Sequence, residues 1–125
     1  MTNSSDGFDG LHLMANLRGC AATASLLRDA EALRRRCIDL VAMTGLTAVG
    51  NCFHQFGHGG GVTGVVMLAE SHLSLHTWPE KRFVTLDVFV CNMHCDNRAK
   101  ARQLFAALVA LFQPEEQRFY DVERV

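Results

Sequence analysis

Three strand-like runs follow one another with only turns between them: Val62 to Ala69, His72 to Trp78, and Arg82 to Cys91, the last rich in Val and Phe. Links this short join antiparallel neighbours, because a parallel pair needs a crossover of a dozen residues or more. The centre of the chain is therefore committed to an antiparallel sheet. Within the middle run His72, Ser74 and His76 alternate with Leu73, Leu75 and Thr77. A period of two puts the polar residues on one face, together with Trp78.

The flanking segments supply what must cover that sheet. Leu11, Leu13, Ala15 and Leu17 alternate with His12, Met14 and Asn16, which predicts a half-buried strand ended by Gly19. From Thr23 to Thr44 the period becomes helical, with Leu26, Leu27, Ala30, Leu33, Cys37, Leu40 and Val41 on one face and Gly45 as the stop. Arg34, Arg35 and Arg36 read as a solvated helix face. Leu46 to Phe56 predicts another strand, and Gly57 to Gly61 a flexible loop. A second helix is expected from a cap at Asp96 or Asn97 to about Phe112, with Ala99, Leu104, Phe105, Leu108 and Leu111 inward. The tail, Gln117 to Val125, is expected to add an edge strand. The fold class that follows is α+β: a two-layer sandwich, one mostly antiparallel sheet with two helices on one face.

The 125 residues fit a single domain with a flexible start over 1–10. A formal net charge of -1 offers no electrostatic reason to bind nucleic acid or an anionic membrane. Val65 to Ala69 is the longest strongly apolar stretch and is far too short to span a bilayer. With no signal-peptide pattern at the start, a cytoplasmic location is expected. Five cysteines, an odd number and widely spread, read as reduced thiols.

Two common site types fit poorly. Gly57 to Gly61 lacks a following Lys-Ser/Thr and leads into a strand, so the phosphate-loop reading fails its context. Cys91, His94 and Cys95 form a C-x-x-H-C cluster to which His54, His58, His72 or His76 could add ligands, but no second pair has metal-ligand spacing. No metal is expected.

The dense run Glu70-Ser71-His72-Leu73 followed by Leu75-His76-Thr77-Trp78-Pro79-Glu80 is more informative. With Gly61-Val62-Thr63-Gly64 before it and Asp87-Val88-Phe89-Val90-Cys91 after it, this stretch resembles the prokaryotic S-adenosylmethionine decarboxylase proenzymes. Gly10-Leu11-His12-Leu13, Leu17-Arg18-Gly19-Cys20 and Phe53-His54-Gln55-Phe56 extend the likeness over about residues 10 to 112.

The resemblance implies self-cleavage into 1–70 and 71–125. In that scheme the Ser71 hydroxyl attacks the Glu70 carbonyl to give an ester, an acyl shift assisted by the Thr63 hydroxyl, and His76 removes the Ser71 α-proton. β-Elimination and loss of ammonia leave a covalent pyruvoyl group at residue 71, whose carbonyl forms a Schiff base with the substrate amine and accepts the electrons freed by departing CO2. Cys91 corresponds to the proton donor, and His76 to a second catalytic residue. Glu80 corresponds to the residue that binds the ribose hydroxyls of S-adenosylmethionine, Phe56 to an aromatic that stacks on adenine, and Trp78 lies beside them. A homodimer of processed protomers and a role in polyamine (spermidine) biosynthesis are implied in the same way.

The chain departs from the family pattern at Asn92 to Asp96, at Lys81 to Leu86, and at Asn16, where an aspartate is frequent. Two alternatives stay open on these residues. One keeps the pyruvoyl chemistry but takes arginine or ornithine as substrate. The other is an unprocessed, non-catalytic relative.

Overall fold

The computed structural model describes residues 9–21, 24–92 and 95–124, so the expected flexible start falls largely outside the described residues. Six strands form one sheet: β1 (Gly10–Arg18), β2 (Ala48–Gln55), β3 (Val62–Leu68), β4 (Ser71–Trp78), β5 (Phe83–Cys91) and β6 (Glu116–Arg124). Their spatial order is β2-β3-β4-β5-β1-β6, and every neighbouring pair is antiparallel. The three helices are α1 (Ala24–Arg28), α2 (Ala30–Met43) and α3 (Arg98–Phe112). Helix α2 packs on β2 and β3, and α3 on β1 and β5.

The period-two pattern becomes a core on one side only. Leu11, Leu13, Ala15 and Leu17 of β1, Leu73 and Leu75 of β4, and Val84, Leu86, Val88 and Val90 of β5 are buried against Leu33, Cys37 and Val41 of α2 and Leu104, Leu108 and Phe112 of α3. Each fully buried Leu or Val contributes about 1.5–3 kcal/mol relative to exposure, which is what holds the helices down. The alternate residues, among them His12, Met14, Asn16, Val65, Met67, His76, Trp78 and Phe89, lie on the other face, away from α2 and α3.

Two expectations about the helices need correction. The helix predicted from Thr23 to Thr44 is two helices, because Asp29 adopts extended backbone (φ -126, ψ 102) and its carboxylate accepts the Glu31 and Ala32 N–H groups, both at 3.1 Å. The apolar period ran through the break unbroken, so only the capping residue marked it. Helix α3 buries Leu104, Phe105 and Leu108 as expected and Ala101 and Phe112 besides, whereas Ala99 is exposed and Leu111 only partly buried. Neither predicted cap acts as a side-chain cap of the usual kind: Asp96 Oδ1 accepts the Arg98 N–H at 3.0 Å, while Asn97 turns away toward Cys91.

The tail forms the edge strand expected of it, pairing from Gly10 with Arg124 to Arg18 with Glu116. Phe119 meets Phe105 of α3 at 5.6 Å between ring centroids, and Asp121 pairs with Arg102 at 2.9 Å.

Burial separates the thiols. It pushes Cys37 up to about 12 and Cys20 up to about 11, whereas Cys52 and Cys95 are exposed. Because the folded-state values are raised, the stability of burying these thiols is fully present below the ordinary thiol range and is lost as pH rises toward 11 to 12. At pH 8 an alkylating reagent is expected to label Cys52 and Cys95 in the native protein, and Cys20 and Cys37 only after denaturation. Peptide mapping of the alkylated chain checks this, and native labelling of Cys37 would contradict the packing. Asp29→Ala is expected to cost about 1 kcal/mol in urea unfolding, the worth of one helix cap.

Candidate active site

The hairpin between β3 and β4 organises the chemical side chains. Leu68 pairs with Ser71, leaving Ala69 and Glu70 as a two-residue turn. Glu70 sits at φ 60, in the left-handed region where a residue with a Cβ is strained by about 1–2 kcal/mol. Tight hairpins normally place Gly or Asn at such positions. The peptide bond from Glu70 to Ser71 therefore leaves a strained residue at a sheet corner. Ser71 Oγ is held there, accepting the Cys91 backbone N–H at 3.1 Å. Cys91 is half-buried, and its own carbonyl accepts Asn97 Nδ2 at 3.1 Å. Ala69, Glu70, Cys91, Cys95, Asn97 and Lys100 border a cavity of about 230 Å³ at this end.

Thr63 and His76 meet at the other end of the same hairpin. They are paired in register, and Thr63 Oγ1 lies 2.9 Å from His76 Nδ1. With Nδ1 engaged, Nε2 is the ring nitrogen left to exchange a proton with a reacting group. Both residues line a second cavity of about 630 Å³, shared with Phe56, Trp78 and Glu80. Trp78 stands between His76 and Phe83, with ring centroids at 5.9 and 5.3 Å. Glu80 is presented by a single 3-10 turn, Pro79–Lys81, which buried Pro79 opens and left-handed Arg82 (φ 47) closes. Gly61 forms part of the wall because a Cβ there would stand 2.1 Å from the Thr77 carbonyl oxygen.

All eight residues singled out from the sequence thus fall at two places. Glu70, Ser71 and Cys91 gather at the turn end, and Phe56, Thr63, His76, Trp78 and Glu80 at the far end. One chain does not join the two groups. Ser71 and His76 are five residues apart on one strand, about 16 Å at the rise of a β-strand. Their positions also differ in parity, so His76 shares the uncovered face while Ser71 shares the parity of buried Leu73 and Leu75.

Sequence reasoning missed Arg28 and Gly60, which also line the larger cavity, and Asn97 beside Cys91. No local pattern marks them, since each arrives from a different element. Of the C-x-x-H-C cluster, His94 lies outside the described residues, and among the described residues no three His, Cys, Asp or Glu gather to hold a metal. Among the same residues no helix is long and apolar enough to cross a membrane.

Comparison with known proteins bears on the family and the fold. The sequence profile of the S-adenosylmethionine decarboxylase family matches residues 11–125. The S-adenosylmethionine decarboxylase proenzyme of Archaeoglobus fulgidus is 37% identical over 115 residues, spanning 92% of this chain and 96% of that one. The corresponding proenzyme of Methanococcus maripaludis is 33% identical over 115 residues, spanning 92% and 88%. The crystal structure of the adenosylmethionine decarboxylase from Aquifex aeolicus superposes with a TM-score of 0.82 at 32% identity, covering 94% of this chain and 91% of that one. A profile match over nearly the whole chain, on the same fold, leaves one conclusion: this chain belongs to the S-adenosylmethionine decarboxylase family.

Proposed function

We propose that this chain is a proenzyme that cuts itself between Glu70 and Ser71 and then decarboxylates S-adenosylmethionine as a homodimer. The observation that carries the reading is the corner at Glu70, where a left-handed φ of 60 adjoins a serine hydroxyl oxygen fixed by the Cys91 N–H. Attack of Ser71 Oγ on the Glu70 carbonyl carbon exchanges the strained amide for an ester and frees the Ser71 nitrogen. A base then takes the Ser71 α-proton, the ester C–O bond breaks, and residues 1–70 leave as a carboxylate. His76 supplies that base through Nε2, oriented by Thr63 at Nδ1.

The family implies a pyruvoyl cofactor, and we assign its origin to Ser71. Such a carbonyl supplies the electron sink that no ordinary side chain offers. The residues around position 71 suit it: the half-buried Cys91 is held on both of its backbone groups, with its thiol available as a proton donor. At the larger cavity, Phe56 and Trp78 offer aromatic faces to an adenine or a sulfonium, and Glu80 offers a carboxylate to ribose hydroxyls.

A second copy of the chain is required by this reading. The separation of Ser71 from His76 along β4 is too long for proton transfer, and among the described residues the face that carries His76 has no helix over it. In a two-fold dimer the partner's His76 and Thr63 serve the Ser71 and Cys91 of the first protomer, and each pocket is built from both chains.

Intact mass measurement is expected to give two fragments, one ending at Glu70 and one starting at a blocked residue 71. Ser71→Ala should give a single chain of 13.8 kDa. An uncut wild-type chain would overturn self-processing. Co-expression of differently tagged Ser71→Ala and His76→Ala chains tests the shared site. The mixed dimer unites an intact Ser71 with the partner's intact histidine, so the His76→Ala chain alone should be cleaved. No cleavage in the mixture, or cleavage of His76→Ala by itself, would rule the shared site out.

A further inference from the structure

The break between α1 and α2 adjoins the larger cavity through Arg28, and three groups beside it are engaged by the sheet and the glycine loop. The Leu27 carbonyl accepts the Thr77 hydroxyl at 2.7 Å, and Thr77 Oγ1 in turn accepts the Val62 N–H at 2.8 Å. The Ala30 N–H donates to Gln55 Oε1 at 2.9 Å, and Gln55 Nε2 donates to the Gly60 carbonyl at 2.8 Å. Arg28 Nη1 donates to the Gly59 carbonyl at 2.5 Å. The outer part of the loop has little packing of its own, since a Cβ at Gly57 or Gly59 would meet nothing within 4 Å, while Gly60 and Gly61 lie close against the Phe56 and Thr77 carbonyls. Gly57 and Gly59 adopt left-handed backbone, φ 60 and φ 74. A loop so lacking in side chains keeps its place through its carbonyls.

We infer that Arg28 is a positioning residue for substrate binding: its guanidinium latches the glycine loop, so that Phe56 and the Gly60–Gly61 wall are preformed before a ligand arrives. The inference rests on the reading of this cavity as the adenosylmethionine pocket. Preorganisation of this kind lowers the ordering cost of binding and leaves the chemical step alone. Loss of the latch therefore belongs in KM and not in kcat.

The test uses the processed enzyme with Arg28→Ala and Arg28→Lys, the latter keeping a cationic donor within reach of the same carbonyl. Arg28→Ala is expected to raise amide exchange over 57–61 and acrylamide quenching of Trp78, the single tryptophan. It is also expected to raise KM for S-adenosylmethionine about five- to tenfold, the worth of one exposed charge-assisted hydrogen bond, with kcat within about twofold. Arg28→Lys should recover at least half of each effect. Unchanged exchange over 57–61, or a fall in kcat at constant KM, would overturn the latch. Should wild type not decarboxylate S-adenosylmethionine, the substrate reading fails by itself, and the exchange and quenching data still decide whether Arg28 holds the loop.

Discussion

The register of the β3–β4 hairpin is the constraint from which the arrangement of this site follows. A two-residue turn at Ala69–Glu70 locks Leu68 opposite Ser71, and from there the pairing counts down the ladder to Thr63 opposite His76. Slipping the register by one residue would move every side chain of β4 to the wrong face and separate the Thr63–His76 hydrogen bond. The same turn places Glu70 at φ 60, so the strain at the proposed cleavage point is imposed by the sheet on both sides of it. Fold and proposed processing chemistry share one local geometry.

One-sided burial is the second consequence of that ladder. Leu73, Leu75 and Thr77 face the helices, and His72, Ser74, His76 and Trp78 face away. With two main helices on one side, the remaining face keeps Met67, Trp78, Tyr120 and Val122 at least 37% exposed beside its polar groups. The chemistry proposed for Ser71 and His76 cannot be completed along a single strand, so the uncovered face and the divided site point to the same remedy, a second protomer.

The Asp29 break shows how a local defect becomes useful. A continuous helix would have consumed the Leu27 carbonyl and the Ala30 N–H in its own ladder. Interrupting it frees both groups and turns Arg28 toward the glycine loop, and Gln55 and Thr77 of the sheet meet them. The cavity wall is thus pinned to the sheet and to the helical layer at once.

Much of this was legible in the chain by itself. The order of strands and helices, the antiparallel centre, the inward face of β1 and the polar face of β4 follow from residue period and short links, because side-chain direction repeats every second residue in a strand. The residues Glu70, Ser71, His76, Trp78 and Glu80 were conspicuous because they crowd into one short run. The helix break was not legible, since an apolar period passes through Asp29 without a gap, and neither was the burial of Ala101 in place of Ala99, which are alike in composition. These residues lie close together in sequence. The tertiary structure divides them, because an extended strand carries its residues apart by about 3.3 Å each and holds the run's two ends at opposite ends of β4. Arg28 and Gly60 reach one of those ends and Asn97 the other from parts of the chain that only the folded sheet and its helices bring together.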